Sequence, residues 1–202
     1  MEISCIALAG GNSTRFGRNK LFEVIEGNTL FARVISKLSL FDCEIIIVTS
    51  EQTNIPRDIT YAKSKIIKDI FQGRGSLGGI FTGLKASKTY YNIVVACDMP
   101  FLNYDLLKYF AAHADGFDLV AFVEGNKFEP LHAVYSQKCI SPIQNIIQNK
   151  NNARIIEILP QVKVRKISQE EIDKIDPLHL SFININTQED LKTAREIGCK
   201  NP

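Results

Sequence analysis

The run Glu44-Ile45-Ile46-Ile47-Val48-Thr49 is apolar throughout its middle, without the alternation expected of a strand that keeps one face in water. A strand of this kind is buried on both faces, and a parallel sheet covered by helices above and below provides that burial. Other apolar runs of strand length fit the same architecture, at residues 3–8, 92–96, 119–123 and 131–135, with weaker runs at 65–67, 163–166 and 182–185. Between the first two strong runs, residues 29–40 carry Leu30, Phe31, Val34, Ile35 and Leu38 at helical spacing behind Asn28 or Thr29 as cap, which completes a βαβ unit. Further helices are predicted over 77–87, 103–114, 142–148, 153–159 and 187–197, the last entered through the capping sequence Asn186-Thr187-Gln188-Glu189-Asp190. The expected fold class is α/β, a three-layer sandwich with a mostly parallel central sheet. With 202 residues and no internal repeat, low-complexity tract or linker, one domain over 1–202 is the economical organisation.

Charge and cysteine usage narrow the functional classes. The formal net charge is +2, and the positive residues are spread along the chain rather than gathered in a basic block with interleaved aromatics, so generic nucleic-acid binding is disfavoured. The five cysteines are scattered, odd in number and form no Cys-x-x-Cys pair, which reads as reduced thiols in a cytoplasmic protein with no zinc site. Cys5 and Cys97, inside apolar runs, read as small buried hydrophobes. No apolar run approaches the roughly 18 residues needed to span a bilayer, and the first residues lack a basic region followed by a long apolar one, so no membrane association is expected.

Directly after the first apolar run stands Leu8-Ala9-Gly10-Gly11-Asn12-Ser13-Thr14-Arg15-Phe16-Gly17-Arg18-Asn19-Lys20. A strand ending in paired glycines leaves backbone N–H groups free to face an anion, and Arg15 and Lys20 add mobile positive charge, a combination suited to a nucleoside triphosphate. An ordinary tight strand-to-helix turn is the alternative. The spacing is not that of a Walker A loop, because Leu21 follows Lys20, nor that of the Gly-x-Gly-x-x-Gly dinucleotide fingerprint, because the glycines are adjacent.

The run Val94-Val95-Ala96-Cys97-Asp98-Met99-Pro100 ends a second apolar strand in a carboxylate. Ligands of open parallel sheets gather at the carboxyl ends of strands, so Asp98 belongs on the same edge as the glycine loop. There it either holds Mg²⁺, which takes one or two protein carboxylates together with phosphate oxygens, or caps the next helix. A glycine-rich stretch containing Gly73, Gly75, Gly78 and Gly79 leads into a helix and lets backbone approach a base or ribose, or else packs a helix closely. Asp69, just before it, is either a base or sugar contact or a solvated charge. Asn184 and Asn186, two apart in the 182–185 strand, share a face from which amides orient a phosphate-bearing acceptor, with a cap role for Asn186 as the alternative. Arg154 is a second candidate for acceptor phosphate. His113, His132 and His179 show no ligand spacing, and His132 reads as a hydrogen-bonded structural residue in a strand.

Together these pieces resemble the molybdenum cofactor guanylyltransferase family, within the wider group of Rossmann-like nucleotidyltransferases. The resemblance covers nearly the whole chain. It rests on the loop from Leu8 to Lys20, on Ser76-Leu77-Gly78-Gly79, Cys97-Asp98-Met99-Pro100 and Glu129-Pro130-Leu131, and on Asn184-Ile185-Asn186-Thr187-Gln188-Glu189-Asp190-Leu191. It implies transfer of GMP from GTP to a molybdopterin cofactor, with Mg²⁺ and release of pyrophosphate. By the family pattern Leu8, Ala9 and Gly10, beside Gly11, meet GTP through their backbone, Lys20 meets its phosphates, Asp69 the nucleoside, Thr49 the base, and Asp98 both nucleotide and metal. Asn19 stands where an aspartate commonly precedes the lysine, and Phe16 where methionine is common, which leaves the tuning of Lys20 open. A cytidylyltransferase or other nucleotidyltransferase with a different phosphorylated acceptor is the alternative within the class, and a non-catalytic nucleotide-binding module the alternative outside it. The resemblance also implies transient contact with cofactor-biosynthesis proteins or molybdoenzymes.

Overall fold

A computed structural model describes residues 2–10, 19–55, 63–125, 127–150 and 153–200. Its strands are β1 (Ile3–Leu8), β2 (Val24–Ile25), β3 (Asn28–Thr29), β4 (Ile45–Thr49), β5 (Ser64–Lys68), β6 (Tyr91–Ala96), β7 (Leu119–Glu124), β8 (Lys127–Ser136) and β9 (Val164–Ile167). Its helices are α1 (Leu30–Ser39), α2 (Gly75–Ala86), α3 (Tyr104–Ala112), α4 (Ile140–Asn149), α5 (Gln169–Asp173) and α6 (Gln188–Lys200). Among the described residues, seven strands form the main sheet in the order β5-β4-β1-β6-β8-β7-β9, and β2-β3 make a separate small hairpin. The pairs β1/β4, β1/β6, β4/β5 and β7/β9 are parallel, whereas β8 runs antiparallel to both β6 and β7.

Each layer follows from side-chain period. Alternate residues of β1 point to opposite faces, so Cys5 and Ala7 join Phe31, Val34, Ile35 and Leu38 of α1 and Leu106, Leu107 and Phe110 of α3 on one side. Ile6 and Leu8 meet Leu77, Ile80, Phe81 and Leu84 of α2, with Ile143, Ile146 and Ile147 of α4, on the other. The expected double-sided burial of β4 is observed, since all five of its residues are buried. Helix α2 lies unusually close to the sheet because of its glycines. A Cβ on Gly83 would stand 2.4 Å from Ile6 Cγ2, so a side chain there would lift the helix off β1.

The capping signals act as the sequence implies. Thr29 Oγ1 accepts from Ala32 N–H at the start of α1, and Thr187 Oγ1 accepts from Asp190 N–H at the start of α6; α3 is capped by Asn103, a role the sequence does not signal, and not by Asp98. Two local expectations fail. The segment predicted as a helix over 153–159 is a 3-10 turn, Ile155–Gln161, with Pro160 inside it; proline lacks an N–H and disfavours α geometry in the residue before it. The segment predicted as a strand over 182–185 is not one. Leu180–Phe182 is a 3-10 turn held by side chains, with the Asp176 carboxylate accepting from the N–H groups of Leu180 and Ser181, and Ser181 Oγ accepting from Asn103 N–H. The Glu26-Gly27 hairpin turn and the short helix α5 are additions that the apolar pattern does not signal.

His132 is a structural residue, but it is not hydrogen-bonded. Fully buried on β8, it packs against the rings of Phe110 and Phe182 at 5.3 and 5.0 Å, and neither ring nitrogen finds a partner among the described residues. Burial lowers its pKa from 6.5 to about 4, against a smaller opposing pull from the Asp176 charge. The unfolded chain therefore binds a proton that the native state refuses. Its contribution to stability is whole above pH 6.5 and falls as pH drops toward 4, by about 3 kcal/mol in all. Urea titrations between pH 7 and 4 are expected to show that slope, and His132→Leu is expected to flatten it.

Candidate active site

The ladders between the parallel strands continue a step past the strand ends. Ala9 N–H donates to Val48 O at 2.8 Å, Asp69 N–H to Thr49 O at 2.8 Å, and Cys97 N–H to Leu8 O at 3.0 Å. The ends of β1, β4, β5 and β6 are thereby held level, and the residues that follow them line one crevice along the carboxyl edge of the sheet. Gly10 gives a close approach where β1 ends, since a Cβ there would lie 3.0 Å from Ser50 N and press on the neighbouring chain segment.

The crevice has two lobes, of about 470 and about 290 Å³, and Leu8, Gly10, Gly75 and Ser76 line both. Thr49, Asp69 and Gln72 face the larger one. Thr49 is fully buried and its hydroxyl donates to Ile67 O at 3.3 Å. Asp69 Oδ1 accepts from Phe71 N–H at 2.9 Å and from Thr82 Oγ1 at 2.8 Å, which fixes the carboxylate at the mouth of the loop entering α2. Gly78 does not line either lobe. It sits beneath that loop, where a Cβ would come within 2.7 Å of Phe71 O and 2.9 Å of Asp69 Oδ2, so its glycine serves close packing. The opposite wall of the lobe, residues 50–53, is tied down by Lys68, whose Nζ donates to the carbonyls of Ser50, Glu51 and Thr53.

Lys20 and Asp98 dominate the smaller lobe. A 3-10 turn, Lys20–Phe22, carries the lysine, and Asn19 Oδ1 caps that turn through Leu21 N–H, so the amide supplies the acceptor that an aspartate would offer there. Lys20 Nζ donates to Asp98 Oδ2 at 2.6 Å, to Ile185 O at 2.8 Å and to Asn186 Oδ1 at 2.9 Å. Ile185 N–H in turn donates to Asp98 O at 2.9 Å, which straps the segment before α6 across the end of β6. The two charged side chains are 14% and 19% exposed, shielded enough for the pairing to hold its geometry. The second carboxylate oxygen, Asp98 Oδ1, is buried and has no hydrogen-bond partner among the described residues.

The reversal of β8 brings a second carboxylate, Glu129, within range of the Asp98 charge, although it lines neither lobe. Because β8 runs against its neighbours, its start lies at the same edge as their ends, and Leu131 lines the smaller lobe beside Asp98. Glu129 Oε1 accepts from Leu131 N–H. Burial pushes the Glu129 carboxyl up, that hydrogen bond offsets part of the rise, and the Asp98 charge adds to it. Glu129, Thr82 and Lys68 were not singled out from sequence as site residues. Glu129-Pro130-Leu131 was a visible motif, whereas Thr82 and Lys68 act through contacts that have no local sequence signature.

The remaining candidates divide. Leu8, Ala9, Gly10, Thr49, Asp69, Lys20, Asp98 and Asn186 lie along the crevice, although the N–H of Ala9 is already spent on Val48. Asn184 and Asn186 do not share a strand face. Asn184 donates to Phe182 O within its own loop, and Asn186 alone of the two reaches Lys20. Arg154 is exposed, its backbone N–H donates to Glu157, and it lines neither lobe. Gly11 and Arg15 lie outside the described residues.

Comparison with known proteins agrees with this geometry. Residues 5–166 match the model of the MobA-like NTP transferase domain. A molybdenum cofactor guanylyltransferase of Desulfosudis oleivorans is 34% identical over 95% of this chain and 94% of its own length. A probable molybdenum cofactor guanylyltransferase of Pelotomaculum thermopropionicum is 30% identical over 96% and 93%. Among solved structures, the molybdopterin-guanine dinucleotide biosynthesis protein A of Archaeoglobus fulgidus superposes with a TM-score of 0.83 at 28% identity, covering 98% of this chain and 99% of that one. A nucleotidyl transferase from Methanothermobacter thermautotrophicus shares the fold, with a TM-score of 0.78 at 17% identity and coverage of 100% and 99%.

Proposed function

Because the chain belongs to the MobA-like NTP transferase family, we propose that it transfers GMP from GTP to the terminal phosphate of a molybdopterin cofactor. An oxygen of the acceptor phosphate attacks the α-phosphorus of GTP, a new P–O–P linkage forms, the α–β bridge breaks, and pyrophosphate leaves. The acceptor phosphate is already ionised, so no strong general base is needed and the protein's work is alignment and charge neutralisation. The observation that carries this reading is the Lys20–Asp98 pair at the carboxyl edge of the sheet, with one carboxylate oxygen committed to the lysine and the other buried and without a hydrogen-bond partner among the described residues.

The larger lobe, walled by Thr49 and Asp69 with Glu51 and Gln72, suits a base and ribose rather than phosphates. Lys20 then faces the triphosphate from the adjoining lobe and neutralises charge as pyrophosphate departs. Asp98 Oδ1 fits a divalent cation, because a buried carboxylate oxygen with no donor among the described residues is left wanting positive charge, and Mg²⁺ binds through one or two carboxylates. When bound there, Mg²⁺ supplies Lewis-acid polarisation of phosphate oxygens. Asn186 holds Lys20 from the segment that leads into α6. One nucleotidyltransferase domain carries all of this, since Ile185 and Asn186, beyond residue 166, complete the environment of Lys20. No helix among the described residues is long and apolar enough to cross a membrane, and we place the enzyme in the cytoplasm.

The test is pyrophosphate release from purified protein with Mg²⁺, molybdopterin cofactor and each of GTP, CTP, ATP and UTP in turn. Release is expected to require both GTP and the cofactor. Preference for CTP would reassign the base, and no release with any nucleotide would favour a binding module.

A further inference from the structure

At the amino edge of the sheet, opposite the crevice, two cysteines stand in contact. Cys5 lies on β1 and is fully buried in the core beside Ile45 and Ile47 of β4. Cys43 stands just before β4 and is partly exposed. Their sulfurs are 3.5 Å apart, and Cys5 N–H donates to Glu44 O, so the backbone next to Cys43 is pinned against β1. Cys43 also lines a cavity of about 460 Å³ at the surface, with Ser4, Phe41, Glu44, Lys88 and Thr89. Cys43 is thus the partly exposed member of the pair and Cys5 the buried one.

We propose that Cys5 and Cys43 are a peroxide-reactive dithiol, with Cys43 oxidised first and Cys5 closing a disulfide that staples β1 to the start of β4. The electrostatics match that division of labour. The sulfur–sulfur contact with Cys5 lowers the Cys43 thiol, with Lys63 adding positive charge against the opposing effect of burial. Cys5, through the same contact and through burial, is held well above the ordinary thiol range. The acidic neighbours are compensated, Asp42 by Lys63 and Glu44 by Lys65. The other buried thiols are poor competitors, since burial pushes Cys139 up to about 12 and raises Cys97 too.

The steps balance with a hydroperoxide as oxidant. The Cys43 thiolate attacks one peroxide oxygen, the S–O bond forms as O–O breaks, and hydroxide leaves, giving a sulfenic acid. The Cys5 sulfur then attacks Cys43 Sγ, S–S forms as S–O breaks, and the departing oxygen takes the Cys5 proton as water. Two thiols and one peroxide become one disulfide and two waters.

The experiment uses the full chain carrying Cys199→Ala, which removes the exposed cysteine of α6, reduced and then given limiting hydrogen peroxide. The expected results are loss of two hydrogens per chain, a Cys5–Cys43 linked peptide on digestion, and a thermal midpoint raised on the order of 5 °C that reductant reverses. Cys5→Ala is expected to trap a dimedone-reactive sulfenic acid at Cys43, and Cys43→Ala, altering a partly exposed position, to abolish both products. Nucleotidyl transfer is expected to stay within about twofold, because the pair lies at the edge away from the crevice. A chain that forms no Cys5–Cys43 link, or a Cys43→Ala chain that consumes peroxide as fast as its parent, would overturn the proposal.

Discussion

Lys20→Ala is expected to lower kcat/KM for nucleotidyl transfer on the order of 10²- to 10³-fold, about 3 to 4 kcal/mol of transition-state stabilisation, the range for removing one preorganised charge-stabilising group. Its ammonium spends all three donors inside the site, on Asp98 Oδ2, Ile185 O and Asn186 Oδ1. Truncation therefore removes positive charge from the triphosphate and also leaves three acceptors without their donor. Steady-state kinetics together with a thermal melt separate these effects, since a folded variant with unchanged melting and lost kcat isolates the charge. Near-normal turnover would remove Lys20 from the reaction.

Asp98→Asn is expected to cost at least as much, on the order of 10³-fold in kcat, without disturbing the fold. The isosteric amide can turn its oxygen toward Lys20 and so keep that contact. Its NH₂ then occupies the place of Oδ1, which has no partner among the described residues, and a donor there cannot accept a cation. Raising Mg²⁺ is accordingly not expected to restore rate, and titration of Mg²⁺ against turnover is the measurement. Full rescue at high Mg²⁺ would mean that another group supplies the metal site. Because Lys20 and Asp98 touch, the double variant is expected to be little worse than the weaker single one.

Much of this arrangement was legible in local sequence. The apolar runs of β1 and β6, followed within two residues by Gly10 and Asp98, located the carboxyl edge, and the caps Thr29 and Thr187 marked helix starts. These signals are legible because they depend on neighbours within a few residues. The reversal of β8 was also recoverable in principle: the few residues between the predicted runs at 119–123 and 131–135 are too few for a parallel crossover. Period and composition carry no strand direction, so Glu129 was not placed beside Asp98. The strand expected over 182–185, which would have put Asn184 and Asn186 on one face, was not recoverable from local pattern, because Asp176 and Ser181 hold a 3-10 turn at 180–182 through contacts distant in sequence.

By itself, then, the sequence determined the layers, the edge on which chemistry gathers, and the residue types that a phosphate-handling crevice needs. Tertiary structure alone decided how they meet. Lys20 reaches Asp98 across 78 residues and Asn186 across 166, and Cys5 meets Cys43 across 38. Contacts of that separation arise when buried helices and strands pack to fixed distances, and their precision comes from close packing of the whole core, to which no single segment's pattern corresponds.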